Sequence, residues 1–595
     1  MMDLIMDRAY SNAFIFGYEH MAAWSDLLDQ INVFPVPDAD TGRNLKISLA
    51  ALHQLNERPA GVRHQIIRAA TGNAGNIAAA FIHELLRING PEALPDAIQQ
   101  GVLLAHKAVA DPKPGTMLTL FEVLAQVVPV FEKPTSEWDL ETIIGLLEKC
   151  VDGTSDTLPE LRQAGVVDAG ALGMFIFLEA FLDCLAGRMN HSRPVTDRFK
   201  GKLEIAKDWQ PQGRQEQYCF SAVILPEGDR AEGRRRLACW GNSLVVNETP
   251  DLLKMHLHTD DCEALRTGLR EIGQVLDWSE ERISPVRSTT DQNAQPVHIM
   301  TDAAGSVTLE DARILGMTLL DSYLVVGNQS YPETLYPPAA LYAAMAGGQR
   351  ASTAQASVFQ RHQSYLSAVS RFERVLYLCV GSAYTGNFET AKSWQATHDT
   401  RGCLTIIDTG AASGRLGIVA LATARYARRS QDPEAVVRFA QQAVTESQEL
   451  VFLDQLKYLA AGGRISKTSG FFGDLLHMKP IITPSVHGAV KVGVVRTREG
   501  QLAFGLKRLE SCFDPREAPL ILLQYSDNQV WIDQVAAGEI RSLLPPAKIL
   551  LRPLSLTSGA HMGPGAWAVA FLPGAFDQQE WSMDWFKHTA VSDGR

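Results

Sequence analysis

The hydrophobic period of this chain changes along its length, and those changes bound its fold. Up to about residue 190, apolar residues recur three and four apart, as in FIFLEAFLDCLAG and LLEKCVDGTSDTLPELRQAG. β-Branched runs are few, so the spacing predicts an all-helical domain over 1–190. Residues 191–213 (HSRPVTDRFKGKLEIAKDWQPQG) lack a period and read as a linker with one short strand. Over 214–290, QYCFSAVIL, NSLVVN and LLKMHLHT read as strands and DCEALRTGLREIG as a helix, which makes a small α+β domain. Over 296–578 the pattern changes again. VHIMTD, RVLYLCVGS and CLTIIDTG are short apolar strands that end in small polar residues, each followed by a helical stretch. That alternation predicts a parallel sheet with ligands at the carboxyl ends of its strands. A second lobe starts near residue 440, with KPIITPS, AVKVGVVRT, PLILLQYS and AWAVAFLP as strands.

Composition serves mainly to exclude. A length of 595 residues fits three or four domains at roughly 150 residues each. The formal net charge of −12 argues against a generic nucleic-acid partner, which needs a basic face. The run Arg234, Arg235, Arg236 reads as a solvated turn. Eight cysteines without pairing spacing suit reduced thiols and a cytoplasmic home. The segment MMDLIMDRAYSNAF does not read as a signal peptide. No stretch approaches the roughly 20 apolar residues of a transmembrane segment.

The sharpest chemical feature is NVFPVPDADTGRNLKISLAAL. Prolines stiffen the approach, and Asp38 and Asp40 then stand two residues apart before Thr41, Gly42 and Asn44 open a helix. Two carboxylates so close repel unless a cation sits between them, and magnesium suits carboxylates that share it with substrate phosphates. A helix N-terminus favours phosphate. A turn with Asp40 or Thr41 as N-cap explains the segment equally well. Three more loops place glycines at helix starts: Gly72, Asn73, Gly75 and Asn76; Gly115 and Thr116; Asp168, Gly170 and Gly173. Four such loops could converge on one nucleotide, and tight helix–helix approach accounts for each glycine as well.

In KMHLHTDD, the period of two puts Lys254, His256 and His258 on one face of a strand. Two imidazoles so placed can share a metal, and Cys219 of QYCFSAV offers a third, soft ligand of the kind zinc takes. A solvated strand face is the plainer reading of the two histidines. Later in the chain TDAAGSV, STAQAS, VGSAYTGNF, YLAAGGRIS, MKPIITPSVHG and GAHMGPGAW place Gly, Ser or Thr at strand ends. Hydroxyls and free N–H groups there can hold a carboxylate, with Thr353, Ser382 and His561 as candidates. Strand-end turns account for the same residues.

These strings carry a resemblance. Residues 8–185 resemble the nucleotide-binding domain shared by L-type dihydroxyacetone kinase subunits and the ATP-binding subunit of bacterial fatty acid kinase. The resemblance implies an antiparallel helical barrel holding two magnesium ions and ATP. It implies Asp38 and Asp40 as metal ligands and catalytic residues. It places Thr41, Gly42, Asn44, Gly75, Asn76, Gly115, Thr116, Asp168 and Gly170 at the nucleotide. The chain departs from that family at Ala39, where the family has glycine, and at Ile77, where the family continues GNSG. Alanine is a small change there at negative φ and costly at positive φ.

The YC…GNSLVVN…HLHTDD series is similar to the middle domain of the same ATP-binding subunit, which dihydroxyacetone kinase L subunits lack. It implies zinc on Cys219, His256 and His258, with the two histidines implicated in activity. The last 300 residues resemble a two-lobed DegV-family fatty-acid-binding protein. That likeness implies a fatty acid carboxylate held by Thr353 and Ser382, with His561 nearby and Arg464 of GGRIS close to the carboxylate end. Where that family has a serine after the first threonine this chain has Ala354, and its first loop keeps Asp302 without a serine. Together the resemblances imply one fused chain that phosphorylates a long-chain fatty acid with ATP, magnesium and zinc. They imply also a homodimer and a downstream acyltransferase at the membrane surface. Two other readings stand beside this one: a non-catalytic lipid-binding or sensing protein with a degenerate kinase domain, and a kinase of a small hydroxylated substrate such as dihydroxyacetone.

Overall fold

The computed structural model describes residues 7–57, 59–128, 138–188, 193–211, 217–283, 295–327, 329–461 and 478–574. Two compact units divide the chain, Met1–Asp291 and Gln292–Arg595. The first unit opens with helices α1 (Arg8–Ala23), α2 (Ser25–Gln30), α3 (Thr41–Leu49), α4 (Val62–Ala69), α5 (Gly72–Leu85) and α6 (Leu94–Ala108). After these come α7 (Met117–Val127), α8 (Leu140–Asp152), α9 (Thr154–Thr157), α10 (Pro159–Ala164) and α11 (Ala169–Leu185). Helix α11 is buried from Ala169 to Asp183 without a solvent face, so it runs through the middle of the others. Phe14 of α1 packs on Phe181 of α11 with ring centroids 4.8 Å apart.

The expected linker behaves otherwise. Among the described residues it holds a helical turn, α12 (Val195–Arg198), and no strand. Val195 and Phe199 are buried, Arg198 pairs with Glu179 of α11, and Val167 N–H donates to Lys202 O (3.1 Å). Apolar anchors spaced four apart were enough to fold this polar stretch back onto the helices.

Next comes a four-stranded antiparallel sheet in the order β2-β3-β1-β4, built of β1 (Tyr218–Pro226), β2 (Asn242–Glu248), β3 (Leu253–Thr259) and β4 (Gly273–Arg282). Three of its strands and helix α14 (Cys262–Leu269) follow the expected pattern. Strand β4 was not expected, because most of its residues are exposed and its apolar alternation is weak. The arginine run is likewise no turn. It lies in α13 (Arg230–Leu237), capped by Asp229, with Arg235 paired to Glu232 and Arg236 to Glu271.

One sheet face is apolar: Phe220, Ala222, Ile224, Met255 and Leu257 pack on Leu237, Leu265 and Leu269 of the two helices. The other carries Ser221, Asn247, Lys254, His256 and His258, and these are buried as well. What buries them is the helical part, through α5. Asn247 Nδ2 donates to Asn76 O (2.9 Å) and Oδ1 (3.2 Å), and Ala110 N–H donates to Leu244 O (3.1 Å).

The second unit contains a four-stranded parallel sheet, β11-β10-β5-β6 (Leu404–Asp408, Val375–Cys379, His298–Asp302, Thr318–Leu320). It also contains a three-stranded ribbon, β8-β7-β9 (Gln329–Pro332, Tyr323–Val326, Ala351–Ala354). A six-stranded mixed sheet runs β14-β13-β12-β17-β15-β16 (Gly488–Val495, Lys479–Ser485, Gln448–Phe452, Trp567–Leu572, Leu520–Tyr525, Lys548–Pro553). In β15, Leu520 and Leu522 join the core that holds the parallel sheet, while Ile521 and Leu523 join a second core. Period-two alternation thus gives one sheet two apolar faces. Helix Ser413–Ala427 packs against strands of both large sheets, which explains its burial on nearly every side.

Candidate functional site

A single buried asparagine shapes the acidic loop. Asn32 Nδ2 donates to Val36 O (3.1 Å), and its Oδ1 accepts from Asp40 N (3.2 Å), Thr41 N (3.1 Å) and Thr41 Oγ1 (2.8 Å). These bonds satisfy the first free N–H groups of α3 and leave the Asp38 and Asp40 carboxylates for other work. Between them Ala39 takes φ 55°, in the left-handed region. Burial lifts the Asp38 carboxyl well above the usual range, and the neighbouring Asp40 carboxylate adds to the lift. A cation bound here would reverse that shift.

Both aspartates face a cavity of about 460 Å³. The starts of four helices open onto it: Asp40 and Thr41 at α3, Gly72, Asn73 and Ala74 at α5, Thr116, Met117 and Leu118 at α7, and Asp168 and Gly170 at α11. At α3 the first N–H groups are taken by Asn32 and Asp29, so the N–H groups that favour an anion belong to the starts of α5, α7 and α11. Asn73 Oδ1 is buried with no hydrogen-bond partner, so the wall has polar capacity to spare. Asp168 caps α11 by accepting from Ala171 N (2.7 Å). Burial pushes its carboxyl up to about 7 against that bond. Asp29, which accepts from Arg43 N (3.0 Å), is pushed to about 7, chiefly by burial with a further push from Asp40. The residues fit a magnesium-bound triphosphate in charge, donor supply and size.

Of the sequence-derived nucleotide residues, Asp38, Asp40, Thr41, Thr116, Asp168 and Gly170 line this cavity. Gly42, Asn44, Gly75, Asn76 and Gly115 stand behind its wall, and packing explains them. A Cβ on Gly42 would lie 1.9 Å from Ser25 O, on Gly75 2.1 Å from Ser48 Oγ, and on Gly115 2.6 Å from Thr157 Cβ. Asn44 N–H donates to Asp40 O (2.8 Å), and Asn76 binds Asn247. Asn32 and Asp29 were missed as site residues, whereas Asn73 of the second glycine loop lines the cavity. Asn32 stands between Ile31 and Val33, and a polar residue between apolar neighbours was its only mark in the sequence.

The middle sheet forms the facing wall, with Gly241 to Val245, His256 and His258 on the same cavity. Cys219, His256 and His258 bring three potential metal-binding atoms within 4.8 Å of one another. The two Nε2 atoms are 3.3 Å apart. Two nitrogens at about 2.05 Å from one tetrahedral ion would stand about 3.3 Å apart, so the donor set and spacing fit zinc. Burial, with His258 and Lys254 nearby, holds the His256 imidazole well below its usual pKa, hence neutral as a ligand must be. Burial first, then Asp40 and Asp38, raise the Cys219 thiol, so metal uptake there must displace a proton. A missed residue, Ser221, contacts His256 Nδ1 at 3.0 Å.

In the second unit Thr353 Oγ1 lies 3.1 Å from His561 Nε2, which joins residues 208 positions apart. Ser382 is held by a separate contact, its N–H donating to Asp408 Oδ1 (3.1 Å). Arg464 lies outside the described residues. Asp302 is a core anchor: its oxygens accept from Arg361 (2.7 Å), Asn387 (2.9 Å), Tyr377 (2.8 Å) and Val380 N (2.8 Å), leaving none for a ligand.

Comparison with known proteins fits this division. Residues 35–183 match the DAK2 domain, 215–284 the FakA-like middle domain of fatty acid kinases, and 296–574 the uncharacterised DegV family. Relatives include uncharacterized proteins of Staphylococcus aureus strains USA300 and COL, each 26% identical over 299 residues. The match takes 44% of this chain and 52% of theirs, so the chain spans about half the length of the curated relatives it matches. Solved structures that match include a fatty-acid-binding DegV family protein of Thermus thermophilus (23% identity, 47% of this chain and 99% of that one, TM-score 0.43). Another is DegV, a fatty acid binding protein from Bacillus subtilis (17% identity, 47% and 99%, TM-score 0.42). This chain carries, in order, a DAK2 domain, a middle domain of the FakA-like kind found in fatty acid kinases, and a DegV domain.

Proposed function

We propose that the chain is a fatty acid kinase that uses ATP to convert a bound fatty acid carboxylate to an acyl phosphate. The order of the three domains fits such an enzyme. One observation carries the reading: two paired carboxylates and four helix starts share a cavity with a Cys/His cluster. In the proposed reaction a carboxylate oxygen bonds to the γ-phosphorus of ATP and the bond from that phosphorus to the β-bridging oxygen breaks, which releases ADP. The nucleophile is ionised at neutral pH and needs no general base. Asp38 and Asp40 would hold magnesium, which would neutralise charge on the phosphoryl group. The starts of α5, α7 and α11 orient the triphosphate, and the apolar cavity wall around Ile77 and Leu118 excludes water.

In the second unit, Thr353 and His561 are the proposed donors to the fatty acid carboxylate, with Ser382 as a third. The reading takes 1–190 as a helical barrel of the kinase type, 214–290 as the zinc-bearing middle domain and 296–578 as the lipid-binding domain. It carries with it a cytoplasmic setting and an acyltransferase that consumes the product at a membrane surface. Among the described residues no helix is long and apolar enough to cross a membrane, so lipid exchange would be peripheral.

ADP release measured with and without a C16 fatty acid tests the proposal. Acid-dependent release, lost in Asp38→Asn, is the expected result. Release that ignores the acid, or an unchanged Asp38→Asn variant, removes it. A second reading is favoured by one observation, the left-handed Ala39. If strain there has disabled the loop, the chain binds lipid as a sensor and releases no ADP.

A further inference from the structure

We propose that Ser221 is a positioning residue for the metal cluster: it accepts the Nδ1 proton of His256 and so turns the Nε2 lone pair toward the ion. This deepens the zinc reading above and rests on it. Strands β1 and β3 pair so that Cys219 stands opposite His258 and Ser221 opposite His256. Paired residues share a sheet face, which places a Cys-x-Ser and a His-x-His side by side. Ser221 Oγ is 3.0 Å from His256 Nδ1, and both residues are buried, at 3% and 1% exposure. The other ring nitrogen, Nε2, is 3.3 Å from His258 Nε2.

A neutral imidazole carries one proton. The nitrogen that holds it cannot bind a metal. With the proton on Nε2, His256 would point N–H at its neighbour and block the space between the rings. Ligation through Nε2 therefore requires a proton on Nδ1, and a buried N–H requires an acceptor. Two groups are in reach: Ser221 Oγ at 3.0 Å and Cys219 Sγ at 3.8 Å. The thiolate is itself a ligand, so the hydroxyl is the acceptor that remains. A hydroxyl both donates and accepts, so the same contact also serves the metal-free protein.

The proposal separates from simple packing by experiment. The full-length protein is stripped of metal and titrated with zinc against a chromophoric chelator, then with cobalt(II) followed by its visible absorption. Partners that orient ligating histidines are typically worth about 10- to 100-fold in metal affinity. Ser221→Ala should therefore bind zinc about 10- to 100-fold more weakly and shift the cobalt bands. Ser221→Thr, which keeps the hydroxyl and suits a strand, should restore both. The far-ultraviolet circular dichroism spectrum should be the same in all three proteins, which reports an intact fold. Wild-type zinc affinity and an unshifted cobalt spectrum in Ser221→Ala overturn the proposal alone. A wild-type chain that takes up neither metal overturns the zinc reading and this proposal with it.

Discussion

At Ala39 a single methyl group decides whether the acidic loop is relaxed. Its φ of 55° costs an L-residue about 1–2 kcal/mol, and glycine avoids that at some cost in chain entropy. Ala39→Gly should raise the urea stability of the first unit by about 1 kcal/mol and hold or tighten magnesium-ADP; a destabilised variant would show that the loop is not strained. The substitution was visible in the sequence, but its consequence hung on a backbone angle that Asn32 imposes from outside the Asp-x-Asp string.

Asp168 supports a pH prediction on similar grounds. Its carboxyl rises from 3.8 to about 7 on folding, mainly through burial. Below pH about 4 both states hold the proton. Between about 4 and 7 only the unfolded chain ionises, so stability falls as pH rises, at up to about 1.4 kcal/mol per pH unit, and levels off above 7. Asparagine keeps the helix cap without titrating. The wild-type minus Asp168→Asn difference in melting temperature should fall, toward negative values, as pH rises across that window; a flat difference would mean that Asp168 is ionised throughout.

Among the elements, alternation made the middle sheet legible while register stayed hidden. His256 and His258 share a face by periodicity alone. Their approach to Cys219 and Ser221 depends on pairing between strands some forty residues apart in the sequence, which no local pattern encodes. The glycines of α5 show the converse. Their position at a helix start suggested phosphate contact, and the structure assigns Gly75 to the α3–α5 contact, with Ser48 Oγ 2.1 Å from the place a Cβ would take. Gly75→Ala should therefore cost stability, about 1–3 kcal/mol as overpacking does, with nucleotide affinity nearly unchanged in the folded fraction. Lost affinity at full stability would return Gly75 to the nucleotide. Polar, aperiodic residues 193–211 misled in another way, because two buried anchors, Val195 and Phe199, are too few to register as a period.

On the scale of the whole molecule, the change from helical to alternating period marked where one kind of architecture gives way to another. The long-range pair Thr353–His561 became visible as a pair only once the chain was folded. The two halves of the proposed reaction belong to different units of one polypeptide, and that fact has a kinetic signature. A tether holds a linked partner at an effective concentration on the order of millimolar, far above any working concentration of the protein. If the fatty acid is phosphorylated by the chain that carries it, ADP release per chain should stay constant as preloaded protein is diluted from micromolar to nanomolar with saturating magnesium-ATP. Transfer between separate chains is second order and would lose rate in proportion to dilution. Mixing an Asp38→Asn chain loaded with labelled acid with unloaded wild type separates the cases again: label stays unphosphorylated if the tether governs and turns over if it does not. Turnover in that mixture, together with a rate that falls on dilution, would leave the kinase chemistry standing and remove any kinetic role for fusing the two activities.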